Sequence, residues 1–125
     1  TCALPIFDDA CMEFIIPKLL LQPLLENSIK YGFQKKPCIH IRVRGWLGED
    51  ALYFTVEDNG GGVDETMLEQ LRDILRSDEV NIEHNGLQNI NRRIWLGYGG
   101  DSGLTIDSTE GEGFTVKLKL RLGGI

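Results

Sequence analysis

Three short polar clusters interrupt an otherwise apolar pattern, and each holds side chains that can do chemistry. The first is Asn27, Lys30 and Tyr31. In a helix, residues three and four apart share a face, so an amide, an ammonium and an aromatic ring project together. The same trio also suits the solvated flank of an amphipathic helix. The second is Asp58-Asn59-Gly60-Gly61-Gly62. Its glycines permit positive φ and a close approach to the backbone. The carboxylate beside them can accept a hydrogen bond from an amino group such as that of adenine; a flexible turn is the plainer reading. The third is Asn85-Gly86-Leu87. At a helix start, exposed N–H groups and the positive dipole end attract an anion, while Asn85 as an ordinary N-cap is the alternative.

Periodicity indicates the elements that must position these groups. Pro17 to Phe33 reads as a helix, with Leu20, Leu21, Leu24, Leu25 and Ile29 at helical spacing toward a core. Pro17 suits a first turn, but Pro23 inside the helix removes a hydrogen bond, so a kink near Leu19 or a loose first turn is expected. Cys38 to Trp46 and Ala51 to Glu57 alternate as two strands, joined through Gly48-Glu49-Asp50 as a hairpin. Asp64 to Arg76 is helical in pattern, and Gly86 opens another helix with Leu87, Ile90 and Ile94 on one face. Leu104 to Thr109 and Phe114 to Leu122 form a second hairpin around Glu110-Gly111-Glu112-Gly113. Residues 1–16 show neither period, and Asp8-Asp9 looks like a turn between two short extended pieces. Antiparallel strands with one apolar face and helices to cover it give an α+β fold, a two-layer α/β sandwich.

Composition narrows the function classes. The 125 residues allow one domain, 1–125, with 42% hydrophobic residues, too apolar for a disordered chain. With 13 Lys and Arg against 19 Asp and Glu the formal charge is −6, which argues against a sequence-independent grip on nucleic acid. The longest apolar run, Phe14 to Leu25, is broken by Pro17, Lys18, Gln22 and Pro23, so no bilayer span is expected and no signal peptide is evident. Cys2, Cys11 and Cys38 form no CxxC pair and read as free thiols in a reducing cytoplasm. His40 and His84 read as ordinary surface or loop histidines.

Taken in order, these motifs resemble the ATP-binding domain of the GHKL (Bergerat-fold) superfamily, and within it the LytS/YesM-like class of bacterial sensor histidine kinases. Residues 16–32, Ile-Pro-Lys-Leu-Leu-Leu-Gln-Pro-Leu-Leu-Glu-Asn-Ser-Ile-Lys-Tyr-Gly, resemble that class's N box. Asp58 to Gly62 is similar to its G1 box, and Gly86 to Ile94 followed by Tyr98-Gly99 to its G2 box and the segment after it. Gly111-Glu112-Gly113-Phe114-Thr115 is similar to the Gly-x-Gly-x-Thr that opens the last strand.

The resemblance implies a mixed, mainly antiparallel sheet covered on one face by helices, with ATP and Mg²⁺ as ligands. Asn27 would bind Mg²⁺, Lys30 the phosphates, and Tyr31 would flank the adenine. Asp58 would read the adenine amino group, Gly60 and Gly62 would make room for base and ribose, and Asn85, Gly86, Leu87 and Thr115 would complete the site. Residues 63–85 would be an ATP lid. The implied activity is that of a protein-histidine kinase. The γ-phosphoryl would pass to a His on a separate dimerisation domain and thence to a response regulator. The chain would be a cytoplasmic piece of a membrane-anchored sensor, making no membrane contact itself. Two departures stand out. His84 replaces the first Gly of the G2 box, and Pro23 replaces the general-base carboxylate of the family's ATPases, with Glu26 about 100° away from Asn27 on the helix. The missing base fits a kinase better than a hydrolase. An anti-sigma-factor-type Ser/Thr kinase and a non-catalytic interaction module are the rival readings.

Overall fold

The computed structural model describes residues 3–7, 18–32, 38–79 and 85–122. Among them the elements run β1 (Ala3–Phe7), α1 (Lys18–Gly32), β2 (Ile39–Leu47), β3 (Ala51–Asp58), α2 (Glu65–Arg76), α3 (Asn85–Tyr98), β4 (Gly103–Thr109) and β5 (Gly113–Arg121). The strands form one sheet in the order β1-β2-β3-β5-β4. β2, β3, β5 and β4 pair antiparallel, while β1 lies parallel to β2. This is the mixed, mainly antiparallel α+β sandwich expected.

Alternation explains why the sheet has one dry face. Ile39, Ile41 and Val43 of β2, Phe54 and Val56 of β3, and Val116, Leu118 and Leu120 of β5 are all at most 1% exposed. The residues between them point the other way, as the two-residue period requires. The helices close the dry face. α1 packs on α3, β2, β3 and β5, whereas α2 packs on β4 and α3. Leu24 of α1, Leu68 and Leu71 of α2, and Leu87, Ile90 and Ile94 of α3 complete the core.

Several expectations change. Ile29 is exposed, and the buried residue on that part of α1 is Ser28. α1 runs on through Pro23 without a break in assignment. The short extended piece expected before Asp8-Asp9 is the strand β1. Cys38 is disulfide-bonded rather than a free thiol; an odd cysteine count leaves room for one bridge, and Cys2 and Cys11 lie outside the described residues. The first half of the expected lid is part of the packed body. Asp64 caps α2 by accepting from the Met67 N–H at 2.8 Å, Leu68 and Leu71 are buried, and Arg72 donates to the Ile106 carbonyl of β4. Residues 80–84, including His84, lie outside the described residues.

Candidate functional site

Asp58 is the last residue of β3 and shares the inward parity of Phe54 and Val56, so its carboxylate is carried to the dry face and is only 9% exposed. Burying a carboxylate is costly unless hydrogen bonds satisfy it. Asp58 Oδ1 accepts from the Gly60 N–H at 2.9 Å, closing a tight turn onto its own loop. Asn59 extends the β2–β3 ladder past the strand end. Its N–H donates to the His40 carbonyl at 3.1 Å, and its Oδ1 accepts from the His40 N–H at 2.6 Å. The acidic group is therefore held at a fixed point on the sheet.

The glycine loop that follows is laced to the β4–β5 hairpin. The Gly111 N–H donates to the Gly61 carbonyl at 2.8 Å. The Val63 N–H donates to Ser108 Oγ at 2.9 Å, and the Ser108 hydroxyl donates to the Gly113 carbonyl at 2.6 Å. Gly62 has φ +62, and a Cβ there would meet the carbonyl oxygens of Thr109 at 2.6 Å and Gly113 at 2.7 Å. The protein's own hairpin fills the space beside Gly62, so it is this packing that requires a glycine, not room for base and ribose. Gly60 is buried next to Asp58.

Asn27 stands half-buried on α1, between Leu24 and Ser28 on the side that faces the core and the exposed Glu26 and Ile29. Glu26 is turned outward and accepts from the Gln22 amide at 3.2 Å. Lys30 and Tyr31 lie on the last turn of α1 and Asn85 begins α3, but their side chains are outside the described part. Gly86 is open, with nothing within 4 Å of where a Cβ would sit, and Leu87 is buried beneath it. The two helix starts differ in charge. α2 begins with Asp64 as cap and Glu65 in its first turn, whereas the first turn of α3 has no acidic residue. The partial positive charge of the α3 N-terminus suits an anion.

Thr115 departs from expectation. It pairs with Glu57, and the residue opposite Asp58 is Phe114. Because side chains alternate, Thr115 stands on the outer face of the sheet with Glu57, one residue out of step with Asp58. There it helps line a shallow hollow with Glu57, Asp107 and Glu112. Among the described residues no group of three or more His, Cys, Asp or Glu could hold a metal ion. A divalent cation held through a ligand's phosphates and one amide oxygen would need no such cage, and the half-buried Asn27 would be the amide on α1 to offer that oxygen.

Sequence reasoning missed Ser108 and the second function of Asn59. A hydroxyl two residues before the Glu110–Gly113 turn carries no recognisable signal. An Asn directly after a strand is a known mimic of backbone pairing and was legible.

Residues 15–124 match the family model described as histidine kinase-, DNA gyrase B-, and HSP90-like ATPase. The sensor protein kinase HptS of Staphylococcus aureus is 33% identical over 107 residues, which is 86% of this chain and 20% of that protein. The chain thus spans about a fifth of the length of the curated relatives it matches. In structure it is similar to the histidine kinase domain of the Erythrobacter litoralis EL346 blue-light activated histidine kinase, with TM-score 0.65, 22% identity, and coverage of 96% of this chain and 54% of that one. It is also similar to a nucleotide-free catalytic domain of the histidine kinase ThkA, with TM-score 0.67, 15% identity, and coverage of 95% and 79%. The chain belongs to the histidine kinase-, DNA gyrase B- and HSP90-like ATPase family.

Proposed function

We propose that this chain is the ATP-binding catalytic domain of a two-component sensor histidine kinase, supplying the γ-phosphoryl of Mg·ATP to a His on a separate dimerisation domain and thence to a response regulator. The observation that carries the reading is the buried Asp58 carboxylate at the end of β3, in the layer shared by α1 and α3. Asp58 accepts a hydrogen bond from the adenine amino group, and its bond from the Gly60 N–H holds the carboxylate at the loop where the base would lie. Gly86 and Leu87 present the α3 N-terminus to phosphate, with Asn85 beside them, Lys30 adds a point charge, Tyr31 flanks the base, and Asn27 offers its amide oxygen to Mg²⁺. Phosphoryl transfer depends chiefly on positioning and charge neutralisation, which this set supplies without a general base. The exposed, Gln22-paired Glu26 and the proline at position 23 support a kinase over a hydrolase.

The phosphoacceptor and the regulator belong to other domains or proteins. His40 does not suit the phosphoacceptor role, since it lies on β2 with its backbone tied to Asn59. The relatives' name as sensor kinases supports a bacterial protein with this domain in the cytoplasm and a membrane anchor elsewhere. No helix among the described residues is long and apolar enough to cross a membrane.

Calorimetry with ATP and Mg²⁺ tests the reading. Binding at micromolar Kd or weaker, about −8 kcal/mol or less favourable, is expected, and Asp58→Ala should abolish it. Mixing with a fragment carrying the phosphoacceptor helix should move label from γ-labelled ATP to His. Label on Ser or Thr would replace this reading with a Ser/Thr kinase, and no binding at all would leave a protein-contact module.

A further inference from the structure

The helix that begins the phosphate end of the site carries a second polar set that none of the roles above uses. Gln88, Asn91 and Arg92 stand at i, i+3 and i+4, so they share one face of α3. All three reach carbonyls at the C-terminal end of α2 and just beyond it. Gln88 is 1% exposed, and its amide nitrogen donates toward the carbonyls of Ile74 at 2.9 Å, Ser77 at 3.1 Å and Glu79 at 2.7 Å. An NH₂ group has two protons, so three carbonyls converge on two donors. Asn91 donates to the Leu75 carbonyl at 3.2 Å, and its Oδ1 accepts from the Leu104 N–H at 2.8 Å. Arg92 donates to the Asp78 carbonyl.

The last four carbonyls of any helix lack partners within the helix. At α2 one of them is recovered locally, when the Ser77 N–H donates back to Ile74 at 3.2 Å. Side chains in the first two turns of α3 reach the carbonyls of Ile74 and Leu75 and those of Ser77, Asp78 and Glu79 just beyond the helix. Residues 74–79 therefore cannot shift relative to the start of α3 without breaking buried hydrogen bonds, and leaving a buried polar group unsatisfied is costly.

We propose that Gln88, aided by Asn91 and Arg92, is a positioning residue that clamps residues 74–79 against the first turns of α3 and so fixes the phosphate end of the nucleotide site. This deepens the ATP reading above and rests on it.

The test compares titrations of ATP·Mg²⁺ and of adenosine on the wild type, Gln88→Met, Gln88→Glu and Arg92→Ala, with circular dichroism to check folding. Gln88→Met keeps the length and removes the donors; Gln88→Glu turns acceptors toward carbonyls. ATP affinity should fall about tenfold in Gln88→Met and further in Gln88→Glu, with adenosine affinity unchanged within twofold. If ATP and adenosine weaken together, or neither weakens, the clamp has no bearing on the phosphates and the proposal is overturned. Should the Gln88 variants fail to fold, Arg92→Ala decides, because it loses a single exposed contact. About a threefold loss for ATP alone supports the proposal, and no difference from wild type overturns it. A wild type that binds neither ligand overturns the nucleotide reading itself, and the clamp with it.

Discussion

Gly113 sits directly against the backbone of Asp58: a Cβ at position 113 would fall inside the van der Waals shell of the Asp58 carbonyl oxygen and within 3.1 Å of the Asn59 Cα. Gly113 also has φ +140, a conformation that L side chains rarely adopt. Both neighbours are backbone, so neither can rotate away. Gly113→Ala is expected to destabilise the fold by about 3 kcal/mol or more and to displace Asp58 as it does so. Urea denaturation followed by fluorescence would measure the loss; a variant within 1 kcal/mol of wild type would show that the strand ends can separate without cost.

Asn27 separates metal binding from base binding. Replacing it with Ala removes an amide oxygen from a half-buried position on α1 and leaves Leu24 and Ser28 in place. ATP affinity in the presence of Mg²⁺ is expected to drop about tenfold, equivalent to 1.4 kcal/mol, while affinity measured in EDTA stays as in wild type. Equal losses in both buffers would assign Asn27 to the shape of the helix and not to the ion.

Pro23 lies inside α1, where it cannot donate to the Leu19 carbonyl. Pro23→Ala restores that donor and is expected to raise stability by about 1–3 kcal/mol. A higher urea midpoint would register the gain. A lower one would mean that the packing of α1 depends on the bend or bulk of the ring.

Asp101 organises an ion cluster at the β4–β5 side of the sheet. Its carboxylate accepts from Lys119, and from Arg121 Nε at 2.7 Å, while Arg121 also pairs with Asp50 at 2.8 Å. The Lys119 bond, then the Arg121 bond, lowers the Asp101 pKa from 3.8 to about 2. A carboxyl lowered on folding adds stability above its unfolded pKa and loses it as protons are taken up. Its contribution should be complete above about pH 5 and fade between pH 4 and pH 2. Lys119 and Arg121 are raised by the same carboxylate, so they keep their share at neutral pH. Asp101→Asn should therefore melt below wild type at pH 6, come much closer to it by pH 2, and show a smaller gap in molar salt, because the group is exposed and screened. A gap as wide at pH 2 as at pH 6 would point to lost packing instead.

The sheet was readable because one dry face imposes a two-residue rhythm. β2 to β5 fall within about a residue of where alternation places them. The same rhythm explains the error at Thr115. A one-residue offset between Gly113 and the hydroxyl moves a side chain to the opposite face, and a motif written as letters does not show parity. Ile29 was misread because a helical stripe several leucines wide does not reveal which of its borders is dry. The small Ser28 lets α1 approach its neighbours closely, and Ile29 is left 43% exposed. β1 was legible only as a short extended piece before Asp8-Asp9, since five residues on a parallel edge carry no alternation of their own. Asp58 and its glycines were legible in the candidate site, but the close contact between loop and hairpin that requires Gly62 was not, because it forms only once residues 62 and 108–113 meet.

β1 lies against β2 over five residue pairs, from Ala3 opposite Ile39 to Phe7 opposite Val43. Those pairs occupy amides that would otherwise form an open border along β2. A truncated version beginning after Phe7 would carry an adhesive margin able to recruit a strand from another copy. Expression boundaries drawn tightly around the recognisable motifs would thus be expected to yield aggregates, and those that retain the first seven residues a dispersed protein.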